Sequence, residues 1–281
     1  MQQVTRKTLG AGINLTCVTT PKFKRAVLRA MLVLPLGGED AALRACLPQV
    51  LRRGTARLND MQAFGTALDE LYGARIEAAV RKEGENLCIG FLSDCIDEAY
   101  APGADGLTAG VIGLLCDLLY NPYLQDGLFC AAYAEGERGN LIDRIAALKN
   151  DPRSWAPRRL NEIMCENEDY GKSALGTIEQ AERITPETLY AAYRRALSEA
   201  QVELFYCDTM MPDEVEAHFM ATPLAQPREG TLYQPHTVVQ ARPAGDVREV
   251  VEDAEVTQGK LSLGFRTGGA SLTGGEPAAY W

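Results

Sequence analysis

The sequence predicts an α+β fold, because strand patterns and helix patterns fall largely in separate runs along the chain. Strand-like sequence opens the chain, a hairpin follows two helical segments, and a series of helices leads to a last strand and a short helix. The 281 residues are 46% apolar, which is enough for a substantial core. We expect a complete α+β domain in residues 1–220, a linker in 221–249, and the beginning of a second, incomplete domain in 250–281.

The first elements are predicted to be strands, followed by two helices. Gly10-Ala11-Gly12 is a turn beside the β-branched segment 13–18, and segment 26–34 is an apolar run typical of a central strand. Segments 39–53 and 60–72 have helical spacing. The apolar stripe of the second helix consists of Met61, Phe64, Leu68 and Leu71. Gly73 is a typical residue at the end of a helix.

The remaining elements follow from turn residues and caps. Segments 74–80 and 86–92 are predicted to form a hairpin, and segments 107–120, 128–149 and 155–166 to form helices. Thr185 is a helix cap followed by Pro186 at the first helical position, and that helix is expected to reach Glu199. A strand over 202–207 and a helix over 212–220 complete the domain, and 250–265 is again strand-like.

Composition excludes several classes of function. The net charge of −10 argues against nucleic acid as a partner, since phosphate binding needs a basic face. No stretch approaches the 18 apolar residues of a membrane span, and the first residues do not resemble a signal peptide. The eight cysteines form no Cys-x-x-Cys pair, so we expect reduced thiols in a cytoplasmic protein.

One segment has the shape of a metallopeptidase helix without its histidines. Residues 45–55 resemble the zinc helix of the pitrilysin/insulinase-type metallopeptidases, in which His-x-x-Glu-His is followed by a stretch that ends in Gly-Thr. Aligned through Gly54-Thr55, the first histidine falls on Ala45, the glutamate on Pro48 and the second histidine on Gln49. The third zinc ligand of the family falls on Arg144, seven positions after Glu137.

These four residues imply that metal chemistry is lost. A hydrolytic zinc site needs three protein ligands and an open position for water. Ala45 has no donor atom, Gln49 is at best a weak neutral ligand, and Pro48 is neither a ligand nor a base. Arg144 places a permanent positive charge where a dication belongs. The chain has two histidines, and neither lies in its first 217 residues. We therefore expect no catalytic residue, no metal, no cofactor and no enzymatic activity.

The resemblance extends over residues 1–220 and implies a mostly antiparallel sheet with helices packed on one face. Two phrases are similar to inactive bacterial members, the elongation factor P 5-aminopentanol modification-associated proteins. They are Leu71-Tyr72-Gly73-Ala74 and Met164-Cys165-Glu166-Asn167-Glu168-Asp169-Tyr170-Gly171. The resemblance implies a setting connected with modification of elongation factor P.

Other reactive residues have simpler interpretations. Cys46 lies near the degenerate segment, and Arg44 or Arg53 is a possible activator, but a buried apolar cysteine is the favoured interpretation. A Ser-His arrangement of Ser271 with His218 or His236 needs a fold that the chain does not complete. Gly264 to Gly275 lacks the Gly-Lys-Ser/Thr of a phosphate loop and is interpreted as a turn. Glu135, Glu137 and Asp143 on one helix suggest paired carboxylates. Glu137 and Arg138 with Arg144 instead favour a solvated or ion-paired helix face, which is the preferred interpretation.

The resemblance and the substituted zinc positions lead to three hypotheses about function. The first is a non-catalytic or regulatory subunit that binds peptide or pairs, as a heterodimer, with a homologous zinc-bearing peptidase. The second is an active zinc endopeptidase with an unconventional ligand set, for which Cys46, Glu39 and Asp143 are the nearest ligands. The third is an interaction module without a peptidase partner. The missing histidines weigh against the second.

Overall fold

A six-stranded sheet organises the chain in the computed structural model, which describes residues 3–101, 103, 105–226, 228, 230–236, 246–253 and 257–265. Its strands are β1 (Gln3–Gly10), β2 (Ile13–Thr19), β3 (Arg25–Pro35), β4 (Arg75–Glu83), β5 (Asn86–Ile96) and β8 (Gln201–Asp208). The spatial order is β1-β2-β8-β3-β5-β4. Only the β2–β8 pair of this sheet is parallel, so the sheet is mostly antiparallel as expected.

Eight helices accompany the sheet in the described residues. They are α1 (Ala41–Leu51), α2 (Met61–Glu70), α3 (Leu107–Tyr120), α4 (Ala131–Ala147), α5 (Pro152–Met164), α6 (Ile178–Glu182), α7 (Pro186–Glu199) and α8 (Pro212–Met220). None of these helices is long and apolar enough to cross a membrane. Helix bounds agree with the sequence expectation to the residue for α3 and α8, and within a few residues for α1, α2 and α7.

The main core lies between the helices and one face of the sheet. β3 supplies Leu28, Leu32 and Leu34, which are at most 2% exposed and share one cluster with Leu47 of α1 and Leu115 of α3. The opposite face of the sheet carries a smaller apolar cluster with Tyr233 packed against it; its buried residues are Met31, Val33, Ala79 and Cys88. The helices thus cover one face, as the resemblance implies.

Helix caps explain several boundaries. Thr185 accepts a hydrogen bond from the backbone N–H of Thr188 at 3.3 Å, and Pro186 occupies the first turn of α7. Thr177 caps α6 in the same way, accepting from the backbone N–H of Gln180. The sequence analysis did not predict this short helix. Asp60 caps α2, with its carboxylate 2.7 Å from the N–H of Ala63.

The helix predicted over 128–149 is wrong at its start, whereas its end agrees within a few residues. Strands β6 (Leu124–Gln125) and β7 (Leu128–Phe129) form a two-stranded hairpin, turned through two residues with positive φ, Asp126 and Gly127. α4 therefore begins only at Ala131, and a 3₁₀ turn over Leu148–Asn150 follows it. The next helix begins at Pro152, three residues before the expected start, because the Asp151 side chain caps it.

The chain after α8 is less regular than the expected strand pattern. A 3₁₀ turn spans Pro223–Ala225, and Arg228 donates to the carbonyl oxygens of Leu197 and Ala200 at the end of α7. No strand forms in the described residues of segment 250–265, so the strand expectation fails there. The division into a linker over 221–249 and a second domain over 250–281 stays a prediction.

Candidate functional site

The loop before α1 sets the position of this helix at the end of β3. Gly37 and Gly38 have φ of +78° and +84°, a region that favours glycine, and they turn the chain from the strand into the helix. Arg44 Nη1 donates to the carbonyl oxygens of Pro35 at 2.9 Å and Gly37 at 3.2 Å. These two bonds fix the helix to the loop that precedes it.

A cavity of about 410 Å³ lies between α1 and α4. Its lining residues are Ala45, Cys46, Gln49, Glu137, Asn140, Leu141, Asp143 and Arg144. Three of the four residues aligned with metal or base positions therefore meet at one cavity, namely Ala45, Gln49 and Arg144. Pro48 is buried in α1 and is not among the lining residues. The assignment of these four residues to former zinc positions stays a prediction.

Pro48 lies inside a continuous helix. Since proline has no N–H, the carbonyl of Arg44 lacks its usual helical partner, yet α1 extends three residues further to Leu51. Arg52 N–H closes the helix on the Pro48 carbonyl at 3.1 Å. Packing of the buried helix face against the sheet and neighbouring helices offsets the lost hydrogen bond, and α1 continues through Pro48.

Glu137 is bound in an ion pair beside the cavity. Its Oε1 accepts from Arg53 Nε at 2.6 Å, and its Oε2 accepts from Asn140 Nδ2 at 3.1 Å. The guanidinium of Arg53 also lies 5.8 Å from the ring centroid of Tyr133. Glu137 is 6% exposed. Both carboxylate oxygens are thus occupied by protein donors, which leaves this residue poorly suited to act as a general base.

The helix-face interpretation of the charged group is correct only in part. Glu135 and Arg138 form an exposed ion pair at 3.1 Å, as expected. Glu137 is buried and paired with Arg53 from another element. Among the described residues, the exposed side chain of Arg144 at the cavity takes part in no hydrogen bond or ion pair.

Cys46 is poorly suited to act as a nucleophile. It is 1% exposed, and burial, with a further contribution from the charge of Glu137, raises the pKa of its thiol to about 12. The thiol is therefore protonated at neutral pH, whereas thiolate is the nucleophilic form. The two arginines considered as activators are engaged elsewhere, Arg44 with backbone carbonyls and Arg53 with Glu137.

The residues at the cavity do not fit zinc. Zinc takes imidazole, thiolate or carboxylate ligands, and the cavity offers one protonated thiol, one paired carboxylate and the exposed Asp143. The described part of the chain contains no group of three or more His, Cys, Asp or Glu side chains arranged to hold a metal ion. His218 is in the last turn of α8, and His236 lies 3.4 Å from the hydroxyl of Tyr233. Ser271 lies outside the described residues.

A buried acid pair at the end of the sheet escaped the sequence analysis. Asp97 and Asp208 are 5% and 2% exposed. Asp97 accepts from the N–H of Ala99 at 2.9 Å and from the hydroxyl of Thr209 at 3.3 Å. Asp208 Oδ1 is buried and has no hydrogen-bond partner in the part of the chain that the structure describes. Burial and the neighbouring Asp97 raise the pKa of Asp208 to about 7. The only signal in the sequence is an aspartate, Asp208, directly after the strand predicted over 202–207.

Comparison with known proteins agrees with the sequence resemblance. No family model matches the chain. It is 30% identical, over 262 residues, to a protein of Bacillus subtilis (strain 168) described as "probable inactive metalloprotease YmfF", covering 93% of this chain and 61% of that protein. A conserved protein from Enterococcus faecalis V583 has a similar structure, with a TM-score of 0.74 and 24% identity over 81% of this chain and 54% of that one.

The fold is also similar to that of pitrilysin, with a TM-score of 0.60 and 15% identity over 85% of this chain and 24% of pitrilysin. At these identities the structural similarities establish the fold alone. They confirm the predicted α+β architecture. The chain spans 61% of the Bacillus relative and 54% of the Enterococcus protein.

Proposed function

We propose that the chain is a homologue of the pitrilysin/insulinase-type metallopeptidases and serves as a non-catalytic subunit of a peptidase-like assembly. The cavity between α1 and α4 is the observation that carries this proposal. It is lined by Ala45, Gln49 and Arg144 and flanked by the occupied carboxylate of Glu137. An active zinc endopeptidase with unconventional ligands is disfavoured, because it needs three ligands that this cavity does not supply.

The partner in this proposal is a homologous zinc-bearing peptidase subunit. Exposed apolar side chains after residue 246 support such an association, because they are unusual on a free surface. Leu261, Leu263 and Phe265 are 84%, 72% and 85% exposed. In this proposal residues 250–281 belong to a second domain, and these side chains are covered by that domain or by the partner subunit. The eight free cysteines agree with a cytoplasmic setting.

A strand edge near the cavity is the proposed place for a peptide. β4 lies at the edge of the sheet with β5 on one side only. An edge strand presents unpaired N–H and C=O groups that a peptide in extended conformation can pair with. Arg52 Nε donates to the Ile76 carbonyl at 2.6 Å, so one end of this edge is already occupied. A peptide would therefore pair with the part of β4 that follows Ile76.

Affinity capture of the tagged chain from its native cells, followed by mass spectrometry, tests the proposal. The proposal predicts a stoichiometric partner with an intact His-x-x-Glu-His helix. Recovery of other proteins without a zinc homologue would favour the interaction module instead. If a zinc homologue is recovered, reconstitution of the pair and a fluorogenic peptide assay follow. The proposal expects cleavage that depends on the partner's zinc and not on residues of this chain. A connection of the pair with modification of elongation factor P is part of the proposal.

A further inference from the structure

The cavity between α1 and α4 retains polar groups that the protein itself does not use. Both oxygens of Glu137 and the amide nitrogen of Asn140 are engaged. In the described part of the chain, the Gln49 amide and the Arg144 guanidinium form no hydrogen bond within the protein. The cavity therefore presents side-chain donors that have no acceptor within the described part of the protein, beside the exposed carboxylate of Asp143.

The charge at the cavity is set by two neighbouring residues of α4. The negative charge of Glu137 is balanced by Arg53. Arg144 then remains as an exposed cation, with the exposed carboxylate of Asp143 next to it. An arginine has five N–H donors in a planar fork, which matches the two oxygens of a carboxylate. Asp143 opposes an incoming anion and lowers the affinity, but it leaves the donors of Arg144 available.

The other walls suit the end of a peptide. Ala45, Leu141 and the protonated thiol of Cys46 are apolar or neutral surfaces. A volume of about 410 Å³ is within the usual range for a small ligand and holds one or two residues. A pocket that combines these apolar walls with a guanidinium suits an apolar residue that carries a carboxylate.

We propose that this cavity binds a peptide carboxylate, with Arg144 as the anchor and the Gln49 amide as a second donor. The carboxylate is either a chain end or an acidic side chain. This proposal rests on the proposed absence of zinc at the cavity and does not depend on pairing with a homologue. Residues at former metal positions would then hold the peptide and not cleave it.

Fluorescence anisotropy with three labelled peptides, which share one sequence except for the changes named below, tests the proposal. One peptide ends in a free carboxylate, one in an amide, and one in an amide with a glutamate placed internally. The proposal predicts that the full chain binds a carboxylate-bearing peptide about three- to tenfold more tightly than the neutral amide. The free acid and the internal glutamate identify which source of carboxylate is preferred. Equal affinity for all three, or no binding, would overturn the proposal.

Variants separate a binding role from a structural one. R144A should remove the preference without changing the melting temperature, and R144K should weaken it because lysine lacks the planar fork. D143N should increase affinity for the carboxylate. R194A, which changes an exposed arginine of α7, is the matched control and should change nothing. A preference that survives R144A contradicts the proposal. A preference that chelator abolishes would instead indicate bound metal and overturn the proposed function itself.

Discussion

Arg53 and Glu137 join the end of α1 to α4 through a charge-assisted hydrogen bond, with Nε and Oε1 separated by 2.6 Å. The carboxylate is 6% exposed, so its charge depends on this partner and on the Asn140 amide. Glu137 of this pair also lines the cavity between α1 and α4. The pair therefore has a structural role beside this cavity.

Replacing Arg53 with alanine should destabilise the protein. The substitution leaves a buried carboxylate without its cation, a change that costs about 3–5 kcal/mol in comparable sites. Urea unfolding followed by circular dichroism measures the loss. E137Q in the R53A background removes the orphaned charge and should recover part of the stability. An R53A variant as stable as the wild type would show that the ion pair contributes little.

Restoring ligands should create a zinc site if the alignment is correct. The variant A45H, P48E, Q49H, R144E supplies two histidines one helical turn apart and a third ligand from α4. We expect about one zinc per chain by mass spectrometry. The matched control carries the same three changes in α1 and keeps Arg144, which should reduce zinc occupancy strongly. A folded quadruple variant without zinc would show that these positions do not converge on one metal.

Cys46 should react slowly with alkylating reagents. Its thiol is buried and its pKa is raised to about 12, so the thiolate is scarce at pH 8. Iodoacetamide labelling followed by peptide mass spectrometry compares it with the partly exposed Cys130 in the same sample. Cys130 should be modified first. Rapid and selective labelling of Cys46 would contradict this prediction and would support a role for Cys46 as a nucleophile.

The Asp97–Asp208 pair should make stability depend on pH. The pKa of Asp208 is about 7 in the folded protein and 3.8 ordinarily. Because the folded value is raised, the unfolded chain releases this proton first. The protonated Asp208 carboxyl therefore contributes its full stabilisation below about pH 4, and this stabilisation is lost as pH rises through 7. From pH 5 to pH 8, the unfolding free energy of the wild type should fall by about 1–3 kcal/mol more than that of D208N. Parallel pH profiles for both proteins would contradict this coupling.

Local chemical signals made much of the fold predictable. Leu107–Tyr120 was predicted to the residue because Asn121-Pro122 stops it, and α7 because Thr185 and Pro186 start it. The β6–β7 hairpin was missed because two-residue strands are too short to show a period. Its turn residues, Asp126 and Gly127, were the available signal.

The cavity was partly predictable and its ion pair was not. Spacing and resemblance drew attention to Ala45, Gln49 and Arg144, and these three residues do line one cavity. Arg53 and Glu137 are 84 residues apart, and nothing local marks them as partners. The same holds for Asp97 and Asp208, whose shared burial depends on how β5 and β8 end in the folded sheet. Contacts between distant elements need the structure.

Metal content of protein purified without chelator, measured together with cleavage of a fluorogenic peptide, tests the central claim most directly. The absence of a fitting ligand set at the α1–α4 cavity predicts zinc far below one per chain and no cleavage that chelator suppresses. One tightly bound zinc per chain with chelator-sensitive cleavage would contradict the claim, and a new set of ligands would then have to be found.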